Sequence, residues 1–323
     1  MKNSVACCTF NGALFLRDQL ASLLDQTVRP DEIVIVDDAS DDDTSLIAED
    51  FSGSAPRDVS VVFERNASNR GVSENFQNAI SLTSGEVVFL CDQDDIWHAS
   101  KIETMHRAFD ARADLALLYS DARLIGAQGD ALSGSLFDAL EVTARERRLI
   151  RDGSAFSALL ARNLVTGATV ALRRSVFDAA RPFPREWVHD EWLAIIAAAL
   201  GSVDYVDAQL IDYRQHDTNQ IGMRRLKPSE KFARLLRPRE NRYRHMQRRI
   251  EILLEKLIAL GPAVATDHVE KVREKLVHVR VRAALPQNRL ARFVPILREV
   301  STGRYARYSV GLRSIAQDFF EPA

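Results

Sequence analysis

Apolar residues in the first part of the chain occur in short continuous runs, separated by stretches with helical spacing. The runs lie at residues 5–9, 32–36, 59–64, 86–90 and 115–119. Between the first two runs, apolar residues recur at Leu16, Leu20, Leu23 and Leu24. Continuous runs are typical of strands buried on both faces, and spacing of three to four is typical of amphipathic helices. The alternation predicts βαβ units, and therefore an α/β fold with a mostly parallel sheet flanked by helices.

Further segments extend this pattern towards residue 216. Residues 164–172 predict a strand, a glycine and a second strand. Residues 192–200 are apolar almost throughout, so they predict a buried helix. Residues 203–206 predict a strand that leads toward residues 210–216.

Beyond Arg224 the pattern becomes purely helical. Apolar residues recur at steps of three and four, first at Met246, Ile250, Leu253, Leu257 and Leu260, and then at Val269, Val272, Leu276 and Val279. The dipeptide Gly261-Pro262 breaks the repeat between them. This predicts a C-terminal α-helical extension in the form of an antiparallel hairpin, with an apolar seam and an Arg-rich outer face.

The charge distribution places a domain boundary at the same point. Residues 1–223 hold 20 Lys/Arg and 35 Asp/Glu, whereas residues 224–323 hold 23 Lys/Arg and 10 Asp/Glu. We therefore expect a sheet-containing domain over 1–223 and a basic helical region over 224–323. A charge split of this kind suggests an anionic partner for the basic part.

Composition indicates the class of the protein and its expected location. The 323 residues are 46% hydrophobic and 27% charged, as in an ordinary globular chain. No run approaches the roughly 18 apolar residues that a membrane-spanning helix needs, and a strand follows the first residues directly, so we expect no secretory signal. The three cysteines lack metal-site spacing and are expected to be reduced core residues. Together these features predict a cytoplasmic location, with peripheral attachment to the inner membrane face as a further hypothesis.

The most informative polar segment is the acidic turn at residues 92–95, which follows the apolar run 86–90. Its sequence is Asp-Gln-Asp-Asp, so three carboxylates stand within four residues. Ligands of open α/β sheets bind at the carboxyl ends of strands, and Asp oxygens are the hard ligands that Mg²⁺ and Mn²⁺ prefer. The turn therefore predicts a divalent ion carrying a diphosphate. The alternative is a solvated turn that caps the next helix.

A second acidic turn, Asp37-Asp38, follows the run 32–36, and other motifs then occur in a fixed order. They are Thr-Phe-Asn-Gly at 9–12, Glu-Ile-Val-Ile-Val-Asp-Asp at 32–38, Asn-Arg-Gly at 69–71 with Asn-Phe at 75–76, His-Asp-Glu-Trp at 189–192, and Tyr-Arg-Gln-His at 213–216. Together with the acidic turn they resemble glycosyltransferase family 2, in a bacterial branch often described as rhamnosyltransferases. The resemblance covers residues 4–222 and implies the GT-A fold and inverting chemistry on a nucleotide-diphospho-sugar.

The resemblance implies which residues bind the donor. Thr9, Asn11, Asp37 and Asp38 match nucleotide-contacting positions, and Asn69 belongs to the motif that precedes the acidic turn. The acidic turn itself matches the Asp-X-Asp motif of the family. Asp92 would face the ribose and the metal, Asp94 would ligate Mn²⁺ or Mg²⁺, and Asp95 would support the loop.

The resemblance also implies a catalytic base. Asp190 matches the Asp of the family's acidic base motif, which would take the proton from the acceptor hydroxyl. Many members have Glu-Asp there, whereas this chain has His189-Asp190-Glu191, so Glu191 is a rival for the role. The alternative for Asp190 is a helix cap.

Three further positions are assigned with open alternatives. His216 matches a histidine that completes the metal site in many GT-A enzymes, although a lone His is usually structural. Gly167 matches a segment near the acceptor and could equally be a bulge glycine. Trp192 is expected to be a packing residue, with stacking on an acceptor sugar as the second interpretation.

The basic helical region has three interpretations. It could present a solvated Arg face without any partner. It could dock on the anionic inner membrane surface, which would suit a lipid-linked acceptor. It could also form a homodimer through the apolar seam. We do not expect nucleic acid as a partner, because the tail shows no recognised nucleic-acid-binding motif.

The sequence thus predicts an inverting, metal-dependent glycosyltransferase. The expected reaction moves a sugar, rhamnose from dTDP-rhamnose on the strength of the resemblance, to a hydroxyl of a cell-surface glycan or lipid-linked acceptor, as in O-antigen synthesis. The alternative is a non-catalytic nucleotide-sugar-binding or scaffold protein on the same fold. Loss of the metal or base carboxylates would favour that alternative, but Asp92, Asp94 and Asp190 are all present.

Overall fold

The computed structural model describes residues 1–216 and 242–321. The chain divides into two compact units. The first comprises residues 1–153 and 165–224, and the second comprises residues 154–164 and 225–323. The short segment 154–164 therefore belongs with the C-terminal helices.

The first unit is built on one mixed sheet. Within its described residues the strands are β1 (Asn3–Thr9), β2 (Glu32–Asp37), β3 (Ser60–Arg65), β4 (Val87–Cys91), β5 (Ile96–Trp97), β6 (Leu115–Gly126), β7 (Ala131–Ser135), β8 (Val170–Arg173) and β9 (Ser202–Gln215). Their order across the sheet is β3-β2-β1-β4-β8-β6-β9-β5, and β7 pairs with β6.

The helices follow in chain order. They are α1 (Leu16–Leu24), α2 (Thr44–Ser54), α3 (Val72–Leu82), α4 (Lys101–Ala111), α5 (Leu136–Ala139), α6 (Ala144–Arg151), α7 (Ala155–Ala161), α8 (Arg174–Ala180), α9 (His189–Leu200), α10 (Arg242–Ala259), α11 (Thr266–Ala283), α12 (Phe293–Ser301), α13 (Arg304–Tyr308) and α14 (Leu312–Phe320). Helices α7 and α10–α14 belong to the second unit. Among the described residues, no helix is both long and apolar enough to cross a bilayer.

The parallel half of the sheet determines where the polar turns meet. Strand β1 lies between β2 and β4 and is parallel to both, with Thr9 opposite Asp37 and Cys7 opposite Cys91. Every residue of β1, β2 and β4 is buried, as continuous apolar runs require. The loops that leave the carboxyl ends of these three strands therefore emerge side by side at one edge.

The predicted α/β class, with flanking helices and C-terminal helices, is confirmed. The second half of the sheet is more mixed than the sequence pattern indicated. Strand β8 runs antiparallel to both β4 and β6, while β6 and β9 are parallel. The first of the two strands predicted within residues 164–172 is wrong, because Gly167–Thr169 forms a 3₁₀ turn and β8 starts only at Val170.

The second unit contains the helical hairpin. Ile250, Leu253 and Leu257 of α10 are buried, as are Val272 and Val279 of α11, so the apolar seam is closed. Glu251 in the middle of α10 binds Arg280 in the last turns of α11 at 3.0 Å, so the two helices are also joined by an ion pair. Helix α7 joins this unit through Phe156, whose ring stacks on His268 with centroids 4.0 Å apart.

A buried charge network links the last helices of this unit to the hairpin. The carboxylate of Asp318 is fully buried and accepts hydrogen bonds from the Arg282 guanidinium (2.6 and 3.0 Å) and from the hydroxyls of Tyr305 (2.6 Å) and Tyr243. Burial raises the pKa of Asp318, but the bonds from Arg282 and the tyrosines outweigh it and lower the pKa overall. The network therefore holds α10, α11, α13 and α14 together.

We expect Asp318→Asn to lower the free energy of unfolding by about 3–5 kcal/mol, because it leaves the buried Arg282 without its counter-charge. Asp267→Asn is the matched control, since Asp267 pairs with Lys271 on the exposed surface of α11 and should cost under about 1 kcal/mol. Urea unfolding followed by circular dichroism measures both. Equal losses for the two variants would show that the network does not stabilise the unit.

Candidate functional site

The loops that follow β1 and β2 are joined by the carboxylate of Asp37. This side chain is fully buried and accepts hydrogen bonds from the hydroxyls of Thr9 (2.9 Å) and Ser45 (3.0 Å) and from both the backbone N–H and the hydroxyl of Ser40. Nε of Arg65 lies 3.4 Å from its Oδ2. These partners satisfy both oxygens, so Asp37 fixes the shape of the loops.

Two residues in these loops adopt a left-handed backbone. Asn11 has φ of 48° and Ala39 has φ of 63°. Asn tolerates this region, whereas a residue such as Ala pays about 1–2 kcal/mol for it. The Ser40 hydroxyl accepts from the backbone N–H of Asn11 (2.9 Å), and Asn11 Oδ1 accepts from the backbone N–H of Asp41 (2.8 Å). The strained pair of loops thus leaves Asn11 exposed at the edge of the sheet.

Asp38 shapes the turn that leads into α3. Its Oδ1 accepts hydrogen bonds from Asn66 Nδ2 (2.8 Å) and from the backbone N–H of Arg70 (2.9 Å), and its Oδ2 accepts from the backbone N–H of Gly71 (2.9 Å). Asp38 itself is buried. Asn69, in contrast, is exposed, and its Oδ1 accepts from the backbone N–H of Gly71 at 3.1 Å.

The acidic turn after β4 is tied to the loop after β1 by Gln93. The backbone N–H of Phe10 donates to Gln93 Oε1 (2.7 Å), and Gln93 Nε2 donates to the carbonyl of Phe10 (2.9 Å). Gly12 leaves room for this amide, because a Cβ at that position would lie 2.1 Å from Gln93 Oε1. Asp92 stands beside this bridge, half-buried, and within the described residues nothing donates a hydrogen bond to its carboxylate.

The end of β9 meets the same turn. Asp94 Oδ2 lies 2.8 Å from His216 Nε2, and the His216 ring packs against Phe15 with centroids 4.8 Å apart. Arg214 fixes the turn from the other side, since its Nε donates to the carbonyl of Asp94 (2.8 Å) and its backbone N–H donates to Asp95 Oδ1 (3.0 Å). The predicted neighbours Asp94 and His216 are therefore in contact.

Crowded carboxylates raise the pKa values of this turn. Burial, followed by the charges of Asp94 and Asp190, raises the pKa of Asp92 to about 7. Burial and the charges of Asp94 and Asp92 raise the pKa of Asp95 well above its usual range. Asp95 Oδ2 is buried without a hydrogen-bond partner in the described structure. The turn holds more negative charge than its hydrogen bonds compensate.

A buried lysine supplies part of the missing positive charge. Lys101 on α4 is fully buried, its Nζ donates to the carbonyl of Ala168 (2.7 Å), and it lies 3.7 Å from the centroid of the Trp97 ring. Burial lowers its pKa to about 7, although Cys91, Asp95 and Asp92 raise it. Burial therefore disfavours the charged form of Lys101, and the acids that it faces partly offset this effect.

The predicted metal ligands are only partly assembled. Over residues 1–216 and 242–321, no group of three or more His, Cys, Asp or Glu side chains is arranged to hold a metal ion, so the set of Asp92, Asp94 and His216 does not form a three-ligand site. The chemistry of the turn still suits a divalent cation, because Asp95 has a buried oxygen without a partner and Asp92 an elevated pKa. Mg²⁺ commonly uses one or two carboxylates together with substrate phosphates.

Asp190 lies in the first turn of α9 and faces Gly167. Its Oδ2 accepts from the backbone N–H of Gly167 (3.0 Å), and its Oδ1 accepts from the backbone N–H of Glu191 (2.6 Å). Burial raises the pKa of Asp190 to about 6, and the two backbone bonds oppose this shift. Its partner Gly167 is followed by Ala168, whose carbonyl accepts from Lys101 (2.7 Å), and the charge of Asp190 is one of the causes that raise the pKa of Asp92.

His189 is the residue before Asp190, at the start of α9. Its ring is buried and stacks on Phe76 with centroids 4.0 Å apart, and within the described residues neither ring nitrogen has a hydrogen-bond partner. Burial lowers its pKa to about 3, so the ring is neutral. Nε2 of His189 lies 2.9 Å from where a Cβ on Gly167 would stand. Only glycine therefore lets the chain approach the ring of His189 this closely.

Four predicted site residues are buried, with their polar groups bonded within the protein. Thr9, Asp37 and Asp38 are enclosed, so in this structure their side chains hold the loops. Trp192 is also buried, and its indole Nε1 donates to the carbonyl of Ala180 (2.9 Å), so it is a core residue, as its first interpretation predicted. Gly167 lies in a 3₁₀ turn and not at a bulge, and its N–H donates to Asp190, so its place near the acceptor stays a prediction.

Three residues that organise the site were absent from the sequence prediction. They are Gln93, which ties the acidic turn to Phe10, Arg214, which donates to the carbonyl of Asp94, and Lys101, which faces the acids of the turn. Gln93 and Arg214 lie inside the motifs already quoted. For Lys101 a signal was present, because it shares the buried face of α4 with Met105 and Phe109 at steps of four. A lysine on an apolar stripe is rarely buried unless it is paired.

Comparison with known proteins places this chain in a family. The sequence model described as Glycosyl transferase family 2 matches residues 4–178. Relatives include an uncharacterised glycosyltransferase of Nostoc sp., 27% identical over 231 residues (68% of this chain, 66% of the relative), and the dTDP-rhamnosyl transferase RfbG of Shigella flexneri, 25% identical over 219 residues (66% of this chain, 73% of the relative). A Mycobacterium tuberculosis relative is 27% identical over 218 residues, and the alignment spans 58% of its length.

Solved structures show the same architecture. The crystal structure of S. aureus TarS 1–349 in complex with UDP-GlcNAc aligns with 99% of this chain and 91% of that chain, with a TM-score of 0.54 and 18% identity. This likeness confirms the predicted GT-A fold. Because the family model covers more than half of the chain, and its match contains the loops that meet at the carboxyl ends of β1, β2 and β4, this chain belongs to glycosyltransferase family 2.

Proposed function

We propose that this chain is an inverting glycosyltransferase that moves a sugar from a nucleotide-diphospho-sugar to the hydroxyl of a glycan or lipid-linked acceptor. One observation carries the proposal: residues 167–168 join two sets of acids from distant parts of the sequence. The N–H of Gly167 donates to Asp190 (3.0 Å), and the carbonyl of the next residue, Ala168, accepts from Lys101 (2.7 Å), which faces the acidic turn of Asp92 and Asp94. A binding module would have no need of a carboxylate placed in this way.

The residues divide the work as follows. Asn11, Asn69 and Asp92 are the donor-binding candidates that remain exposed or half-buried. Asp94, which contacts His216, and Asp92 would hold Mn²⁺ or Mg²⁺ together with the phosphates of the donor. When bound, such an ion balances the negative charge that develops on the departing nucleoside diphosphate. The elevated pKa of Asp92 indicates that this position favours a nearby positive charge.

Asp190 is the proposed base. Its carboxylate takes the proton of the acceptor hydroxyl as the acceptor oxygen bonds to the anomeric carbon, while the bond from that carbon to the diphosphate oxygen breaks. The N–H groups of Gly167 and Glu191 orient the carboxylate. Glu191 is the rival base, and it is half-buried.

The proposed donor is dTDP-rhamnose, and the proposed product is a surface polysaccharide such as an O-antigen. Two relatives support this range. RfbG is a dTDP-rhamnosyl transferase, and WfgD of Escherichia coli, 24% identical over 197 residues, is named for glucosyl transfer to a diphosphoundecaprenol-linked sugar. A lipid-linked acceptor would lie on the inner face of the membrane, which suits a cytoplasmic enzyme with peripheral attachment. A homodimer through the helical region is a weaker proposal, because the apolar seam is already closed within the hairpin.

We expect wild-type protein to bind one of dTDP-rhamnose, UDP-glucose and GDP-mannose at least about tenfold more tightly with Mn²⁺ than without it. Asp94→Ala should lose this metal dependence, because it removes the carboxylate that contacts His216. The exposed Asp50 of α2 provides the control, Asp50→Ala, which should bind as wild type does. Calorimetric titration measures all three, and equal donor affinity with and without the ion in wild type would remove the metal from the proposal.

We expect Asp190→Asn to retain donor affinity and to lower the transfer rate by about 10²–10⁴-fold, the usual contribution of a general base. Glu191→Gln should retain most of the rate. In wild type, transfer should fall as the pH drops below about 6, because Asp190 is protonated below its elevated pKa. Transfer kinetics against pH test this, and the opposite ranking of the two variants would make Glu191 the base.

We expect Gly167→Ala to lower the turnover rate by about 10²-fold with donor affinity unchanged, since the new Cβ would displace the ring of His189, the residue that precedes Asp190 in α9. Gly53→Ala is the matched control, because Gly53 lies in α2 with open space at its Cβ position. Steady-state kinetics and donor titration separate the two effects. Normal turnover in Gly167→Ala would mean that the close approach does not position the base.

A further inference from the structure

Helix α12 in the second unit exposes an apolar face. Phe293, Val294, Leu297 and Val300 are 57%, 53%, 50% and 38% exposed. Since successive helical residues are about 100° apart, these four side chains lie within an arc of about 120°. Ile296, which borders this arc, and Glu299, on the opposite side of the helix, are buried. Helix α12 therefore carries apolar side chains on its exposed face as well as in the interior of the unit.

The charges around this face are of one sign. Between residues 284 and 321 there are three acids and six arginines. The acids, Glu299, Asp318 and Glu321, are all buried, and each is engaged by an arginine. The exposed charged side chains of this segment are therefore all arginines, namely Arg289, Arg298, Arg307 and Arg313. Arg298 lies on α12 itself, at the border of the apolar arc.

The hairpin of the same unit has a different surface. Its acids Glu255, Asp267 and Glu270 are exposed and pair with basic residues of α10 and α11. Its outer face is therefore of mixed charge, although the sequence led us to expect an Arg-rich face there. Over residues 289–313, exposed apolar side chains occur together with exposed arginines and no exposed acid, although Arg307 pairs with Glu274 of α11 at 2.9 Å.

We propose that the outer face of α12 (Phe293, Val294, Leu297 and Val300), with Arg289 and Arg298, docks on an anionic lipid bilayer. Helices with an apolar face and basic flanks lie in the interfacial plane, with the apolar side chains inserted among the acyl chains and the basic ones against the headgroups. A nucleic acid would match the arginines but not the apolar side chains. A twofold contact between two copies would place arginines opposite arginines, which disfavours self-association.

This docking surface would bring the protein to a lipid-linked acceptor, and in that respect the inference rests on the proposed function. Its test needs neither donor nor transfer. Failure of lipid binding would therefore leave the transferase proposal intact, and failure of transfer would leave the docking surface intact.

We expect full-length protein to sediment with vesicles that contain phosphatidylcholine and phosphatidylglycerol in a two-to-one ratio, and to bind pure phosphatidylcholine at least about tenfold more weakly. Leu297→Glu should weaken binding to the mixed vesicles at least tenfold, and Arg298→Glu at least about fivefold. The matched controls lie on α10 of the hairpin. They are Ile258→Glu, at an exposed apolar residue, and Arg244→Glu, at an exposed arginine, and both should bind as wild type does.

A second readout does not depend on a charge reversal. The three native cysteines are buried, so Val294→Cys can be labelled with an environment-sensitive dye. Its emission should shift to the blue when mixed vesicles are added, while the same dye on Ile258→Cys should not respond. Light scattering is recorded on every variant. No sedimentation of wild type, equal binding by all variants, or a dimer that only Leu297→Glu dissociates would each overturn the proposal.

Discussion

The carboxyl end of β4 holds more negative charge than its surroundings balance, and this constraint organises the rest of the site. Asp92, Asp94 and Asp95 stand within four residues of one another, where burial raises the pKa values of Asp92 and Asp95. The protein offsets part of the charge with the buried Lys101, and Asp94 contacts His216. The negative charge that remains favours binding of a cation, or of a substrate that brings a cation with it. The same excess makes it costly to hold further acids nearby unless they have a function.

Hydrogen bonding separates the acids that build the site from those available for chemistry. Asp37 ends strand β2 and Asp38 follows it, but their oxygens are occupied by hydroxyls, an amide and backbone N–H groups, so they hold loops. Asp92 and Asp190 keep unused acceptor capacity and have elevated pKa values. Buried acids with all lone pairs satisfied stabilise structure, whereas those left partly unsatisfied store the free energy that binding or proton transfer can use. Sequence position alone could not make this distinction.

The limits of sequence reading follow from the same physics. Continuous apolar runs gave the strands β1–β4 and hence the edge where polar turns meet, because burial on both faces leaves a signal in every residue. Which way β8 pairs depends on contacts with β4 and β6, which are distant in sequence, so no local pattern records it. The burial of Thr9 and Trp192 is likewise a tertiary outcome. Lys101 differs from these cases, because its position on the apolar face of α4 can be recognised in the sequence. The reason for a lysine at that position is clear only from the structure, which shows the acids that it faces.

The two parts of the sequence carry opposite net charge, and the two units of the structure place their charged residues differently. In the first unit a lysine is buried and acids gather at the edge of the sheet, so the net negative charge is concentrated where a cation-bearing donor would bind. In the second unit the last three acids are buried with arginines, as in the network of Asp318 and Arg282, and the surface over residues 289–313 keeps its positive charge. Burying an acid with one arginine neutralises both, yet it also removes from the surface the group that would have screened the other arginines. The basic character of that surface is therefore a consequence of how the interior of the unit is stabilised.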